Sequence, residues 1–139
     1  MLEKMFNSPN LLLMEKAMDA SLLRQNVIAN NIANVDTPKF KRSEVIFEDR
    51  LREALLSDSS SKKLLKTNSR HMDVCEQTVE ALTPAVVKIN DRSYRNDQNN
   101  VDIDVEMAKH TRNKIYYDYM AHNLSNDLRL LRMAITGRD

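Results

Sequence analysis

The side chains that could do chemistry are few and scattered. His71, Asp73 and Cys75 alternate in His71-Met72-Asp73-Val74-Cys75, so on an extended strand they would share one face. A metal site would need a fourth ligand, and His110 or His122 could supply it only by folding back, so no metal centre is expected. Nucleophilic catalysis finds no Gly-x-Ser-x-Gly elbow and no Cys and His set with a local signature. Asp102 and Asp104 could pair as carboxylates, but the start of a helix explains them more simply, as a cap and as charges suited to the helix dipole. Tyr116-Tyr117-Asp118-Tyr119 could stack on bases. The charges are 21 Lys+Arg against 20 Asp+Glu with no basic face, so helix packing accounts for these rings better than nucleic acid does. The expectation is no catalytic residue, no cofactor and no nucleic-acid partner.

The elements that carry these residues are constrained by composition. The 139 residues make one domain's worth of chain and include one Gly, where about 7% is usual. Catalytic loops, phosphate cradles and many-turned β folds need Gly where backbone bends or approaches a ligand, so they are nearly excluded. One Cys forms no internal disulfide. The longest apolar run, Leu11-Leu12-Leu13-Met14, is far too short to span a membrane. The N-terminus lacks a cleavable secretion pattern, and these signals alone would place the chain in the cytosol.

A first helix is predicted from Ser8-Pro9, an N-cap followed by a favoured first helical residue. Leu11, Met14, Met18, Leu22, Ala29 and Ile32 fall on one face with Ile28 beside them, and Pro38 bounds the helix after a polar run. A short helix is predicted at about 44–56, where Phe47, Leu51 and Leu55 recur every four residues. A Ser/Lys linker follows, and Pro84-Ala85-Val86-Val87-Lys88-Ile89 reads as a strand. A partner strand near Ser93-Tyr94-Arg95 would make a β-hairpin at about 84–96. The last helix starts with a cap at Asp102 or Asp104 and stops at Gly137. Tyr117, Ala121, Leu124, Leu128, Leu131 and Ile135 form an a/d seam. Nearer the start, the apolar face moves to Ala108, Thr111 and Ile115.

The fold class is therefore mainly α. Long N- and C-terminal helices (1–38 plus 101–139) pair as an antiparallel coiled-coil-like inner domain, and the short irregular middle is the insertion 39–100. Each end helix keeps apolar residues off its seam, and one pairing cannot cover them all, so the ends look built for assembly. Asn26, Asn30 and Asn34 repeat at i, i+4 and i+8 with Asn31 beside them, although Asn is a poor helix former. They form either a solvated face or amides that bond packed neighbours and fix register.

The run Ile28-Ala29-Asn30-Asn31-Ile32-Ala33-Asn34 followed by Thr37-Pro38 resembles the N-terminal motif of bacterial flagellar rod, hook and hook-associated proteins. Asn99-Asn100-Val101-Asp102, Glu106-Met107-Ala108, Tyr117 and Leu131-Arg132-Met133-Ala134-Ile135-Thr136-Gly137 resemble the matching C-terminal motif of the short rod proteins. Thr67-Asn68-Ser69-Arg70-His71-Met72 is similar to a segment of a proximal rod protein. Lys39 and Phe40 stand where the family often has Gly and Tyr, and Gln98 where it often has Gly.

The resemblance implies a structural, non-enzymatic subunit of the proximal rod that stacks helically around an export channel. It also implies contacts with itself, other rod proteins, and the membrane ring and rod-adaptor proteins at the rod base. Such a subunit reaches the periplasmic rod through the flagellar type III export apparatus without a cleaved signal peptide, which revises the cytosolic expectation. The residues expected to assemble are Leu22, Asn26, Ile28, Ala29, Asn30, Asn31, Ile32, Asn34, Thr37 and Pro38 at the front. At the back they are Asn100, Val101, Asp102, Tyr117, Leu124, Leu128, Leu131 and Ile135. Two alternatives remain at this point: a sister proximal rod protein of similar size, or a soluble helical adaptor or chaperone holding a partner helix in its groove.

Overall fold

The computed structural model describes residues 9–59, 82–91 and 96–137. Helix α1 (Pro9–Ala33) opens on proline, whose fixed φ and missing N–H suit the first turn. It ends in tightening turns: the Asn34 N–H reaches the carbonyls of Asn30 and Asn31, and the Val35 N–H that of Ile32. Strand β1 (Ser43–Ile46) follows, then helix α2 (Glu48–Ser59), strand β2 (Ala85–Lys88) and helix α3 (Ile103–Thr136). Asp102 caps α3, its Oδ1 accepting from the N–H groups of Asp104 (3.0 Å) and Val105 (3.4 Å). Gly137 stops it in the left-handed region at φ 64°, its N–H bonding the Met133 carbonyl, as helix C-termini favour.

The two long helices run antiparallel. Asn31 near the end of α1 meets Glu106 in the first turn of α3, and Ser21 meets Asn113 two turns on. At 34 residues α3 is about 51 Å long, against about 37 Å for the 25 residues of α1. The last turns of α3 therefore overhang the first described residue of α1.

The small core lies on another side of α1. Ala20, Phe47, Ala54 and Leu82 form it, with Ala17 and Leu51 against them. Alanines at two adjacent turns let α2 come close, and burying Phe47 contributes about 1.5–3 kcal/mol. Because one side of α1 takes this core and another takes α3, its buried residues are Ala20, Ser21, Ile28 and Asn31. The face predicted from leucine and methionine spacing is thus displaced, and Leu22 and Ala29 point to solvent.

The helix predicted at 44–56 starts later. Val45 and Phe47 are buried and Ile46 is exposed, a period of two that belongs to a strand; the helical period holds only from Glu48. The two-stranded antiparallel unit is present, and β2 pairs with β1 in the register Ser43↔Lys88, Glu44↔Val87, Val45↔Val86 and Ile46↔Ala85. The strand expected near Ser93-Tyr94-Arg95 and the His71-to-Cys75 run lie outside the described residues.

Candidate functional site

Where α1 ends and α3 begins, the side chains of Asn99, Asn100, Asn31 and Glu106 tie the two long helices and the β unit together. Asn99 is fully buried, and its Nδ2 lies 2.9, 2.9 and 3.0 Å from the carbonyl oxygens of Asn34, Val35 and Thr37. These carbonyls belong to the turns that follow α1, where Asn34 and Thr37 also accept from the N–H groups of Thr37 (3.1 Å) and Phe40 (3.3 Å). A residue 65 positions downstream thus ties down these turns. The Asn99 Oδ1 accepts from the Val101 N–H at 2.8 Å, fixing the amide's orientation.

Asn100 serves the β unit, accepting from the Arg42 N–H (2.7 Å) and donating to the Ile89 carbonyl (2.8 Å). Asn31 accepts from the Ser43 N–H at 3.0 Å and donates to the Ser43 carbonyl and to Glu106 Oε2, both at 2.9 Å. Glu106 is 1% exposed. Its other oxygen lies 3.3 Å from Lys109 Nζ, which also reaches Glu44 Oε1 at 3.2 Å. Two turns along, Asn113 donates to the Ser21 carbonyl (2.9 Å) and accepts from the Ser21 hydroxyl (3.0 Å). Among the described residues every buried side-chain N or O has a partner, which is what makes such a network specify a register rather than merely burden it.

The clasp holds two strained residues. Lys39 and Gln98 have φ of 62° and 60°, a region that disfavours side chains. They face each other across the clasp: the Lys39 N–H donates to the Asp97 carbonyl (2.9 Å), and Lys41 Nζ to the Gln98 carbonyl (2.9 Å). The resemblance implies Gly at these positions in many members, and Gly is the residue that such a φ suits.

Nothing in this arrangement places a nucleophile against a base. A groove of about 490 Å³ beside the clasp is lined by Arg24, Glu44, Glu48, Lys109, Arg112 and Tyr116, among others. Most of its charges serve one another: Arg24 grips both oxygens of Glu48 at 2.6 and 2.7 Å, and Lys109 bridges Glu44 and Glu106. Among the described residues no group of three His, Cys, Asp or Glu could hold a metal, and no helix is long and apolar enough to cross a membrane.

The residues expected to assemble divide into an inner and an outer set. Ile28, Asn31 and Val101 are buried, and Ile32, Asn34, Asn100, Asp102, Tyr117, Leu124 and Leu131 are half-buried. Leu22, Asn26, Ala29, Asn30, Thr37, Pro38, Leu128 and Ile135 are exposed. Of the amide stripe, the Asn34 side chain bonds only locally, to the Asn30 carbonyl (2.8 Å) and the Thr37 hydroxyl (3.3 Å), while the Asn31 side chain joins α1 to β1 and α3. Near the start of α3, Ala108, Thr111 and Ile115 face solvent, and polar Glu106 and Asn113 take the inner face instead. Ser21, Asn99, Glu106 and Asn113 were not anticipated as contacts. For Ser21, Glu106 and Asn113 the signal was a polar residue on an otherwise apolar period; Asn99 lies in the loop before α3 and carried no such signal.

The geometry is thus a pair of long helices clasped by asparagines, with apolar residues left outside. The family model described as Flagella basal body rod protein matches residues 11–41. The flagellar basal body rod protein FlgB of Bacillus subtilis is 33% identical over 124 residues, covering 89% of this chain and 91% of that protein. FlgB of Borreliella burgdorferi is 36% identical over 107 residues, 76% of this chain and 79% of that one. The flagellar basal-body rod protein FlgG of Buchnera aphidicola (subsp. Baizongia pistaciae) is 54% identical over 41 residues, only 16% of its length. The chain belongs to the flagellar basal body rod protein family, and its likeness runs nearly end to end with proteins named FlgB. That likeness favours FlgB over its sister FlgC.

Proposed function

We propose that this chain is a structural subunit of the proximal rod of the bacterial flagellum, without catalytic activity. It couples the membrane ring to the distal rod and hook by assembling helically around the export channel. It reaches the periplasm through the flagellar type III export apparatus. Its neighbours are further copies of itself, other rod proteins, and the ring and rod-adaptor proteins at the rod base. One observation carries this reading: the two long helices are bound into a single unit by Asn99 and Asn31, while Leu128 (45% exposed) and Ile135 (58% exposed) continue past the described part of α1 with apolar surface uncovered. Burying each such side chain contributes about 1.5–3 kcal/mol, and a helical filament of heterologous contacts is one way to do so.

The test is location. In a strain lacking the native gene, the tagged chain should restore swimming and be recovered with purified basal bodies. Restored cells whose basal bodies lack the chain would overturn the proposal. So would recovery of the chain as a stable soluble dimer in the cytosol of swimming cells.

A further inference from the structure

Helix α1 has a third side, turned away from both α3 and the small core. On it Glu15, Asp19, Leu22, Asn26 and Ala29 are exposed at spacings of four and three, which makes them one continuous stripe. Helix α3 has a similar stripe, where Val105, Ala108, Arg112, Ile115 and Tyr119 are exposed; Arg112 sits at its border and also lines the groove that holds Glu48 and Asp49. The two stripes differ in charge. The α1 stripe carries two carboxylates one turn apart, and the α3 stripe carries one guanidinium near its middle. Among the described residues, Glu15, Asp19 and Arg112 are outside every ion pair.

We infer that the two stripes are the two halves of one contact between copies: the α1 stripe of one subunit lies antiparallel on the α3 stripe of the next, with Arg112 seated between Glu15 and Asp19. This inference rests on the rod-subunit reading, because subunits stacked along one axis present α1 and α3 to each other in opposite directions. With Asp19 level with Arg112, Leu22 falls on Ala108 and Val105, and Glu15 falls beside the hydroxyl-bearing rings of Tyr116 and Tyr119. The arginine fork can then take a carboxylate on either side.

Neighbouring registers are worse. A slide of one heptad that carries Leu22 onto Ile115 leaves Arg112 beside Asn26 and brings Asp19 to Asp118. The opposite slide sets both carboxylates over Val105 and Ala108, where a charge would be buried unpaired. The contact uses different faces on the two subunits, so it does not close on itself.

The experiment is a charge exchange in a strain lacking the native gene, with recovery in purified basal bodies and swimming as the readouts. Asp19→Arg and Arg112→Asp should each lower recovery about tenfold or more through like-charge contact, while the purified variants keep the parent's melting midpoint because both sites are exposed. The chain carrying both changes should recover severalfold over either single variant, because one of the two pairs is restored with its signs reversed while Glu15 is left facing a like charge. Single variants that assemble normally, or a double variant no better than either single, would overturn the contact and leave the rod reading intact. Absence of the unsubstituted chain from basal bodies would overturn both.

Discussion

Asn31 meets the backbone of Ser43 with both ends of its side-chain amide, accepting from the N–H at 3.0 Å and donating to the carbonyl at 2.9 Å. The Arg42 carbonyl accepts from the Ile89 N–H, so Ser43 turns its own backbone groups to the edge of β1 away from β2. There the amide stands in for a third strand and blunts an open edge. Replacing it with Leu strands two backbone groups and one oxygen of the buried Glu106. At about 1–3 kcal/mol for each buried group left unsatisfied, Asn31→Leu should cost at least about 3 kcal/mol in chemical denaturation. A loss below about 1 kcal/mol would show that water replaces the amide.

Asn99 permits a sharper comparison, because its nitrogen faces only carbonyl oxygens. Asn99→Asp keeps the shape and turns the donor into an acceptor, so carboxylate would oppose carbonyls. It should destabilise more than Asn99→Ala, which removes the partner without adding repulsion. Thermal melts of the two variants at neutral pH check the order. Equal midpoints would mean that the three short contacts contribute little.

Lys39 and Gln98 sit at φ near +60°. A side chain there costs about 1–2 kcal/mol, and glycine's extra freedom in the unfolded chain returns about 0.5–1 kcal/mol of that. Lys39→Gly and Gln98→Gly should therefore each stabilise by up to about 1 kcal/mol. The signature is a higher denaturant midpoint with an unchanged slope.

The ion pairs around Lys109 should respond unequally. Glu44 is partly exposed (44%), and losing its pair should cost less than about 1 kcal/mol. Glu106 is buried, so Lys109→Met leaves an uncompensated charge and should cost about 3–5 kcal/mol. Adding Glu106→Gln should recover much of that loss. A double-mutant cycle with no coupling would show that Lys109 is not the counter-charge.

Leu128→Asp with Leu131→Asp tests assembly apart from folding. Leu128 is exposed and Leu131 half-buried, so the purified double variant should melt close to the parent. Secretion should persist and filaments should be missing. Normal filaments would show that this seam is not an assembly surface.

Both long helices were legible in the sequence because their punctuation is local. Pro9 opens one, Asp102 caps the other and Gly137 ends it, and each side chain or φ acts within its own turn. The strand at Val86 and Val87 was legible for the same reason, through β-branching. Its partner was not, since pairing Glu44 with Val87 depends on Asn100 and Asn31 holding both strands from outside. The inner face of α1 was misplaced because apolar spacing favoured Leu22 and Ala29, whereas two packing surfaces meet at Ala20, Ser21 and Asn31. Hydrophobic periodicity sees apolar residues, and much of this inner contact is made of amides.

The reach of Asn99 also sets an order of events. The carbonyls of Asn34 and Thr37 take local N–H donors, and the side-chain donor that ties this turn to α3 comes 65 residues later in the chain. Bringing those points together costs about 4 kcal/mol of chain entropy before any contact repays it. A chain that emerges N-terminus first, from a ribosome or from a narrow conduit, holds α1 without Asn99 and without α3 until its last third is free. The order of the sequence thus delays completion of the fold: the contacts that join α1 to α3 can form only after residues 99–113 have emerged.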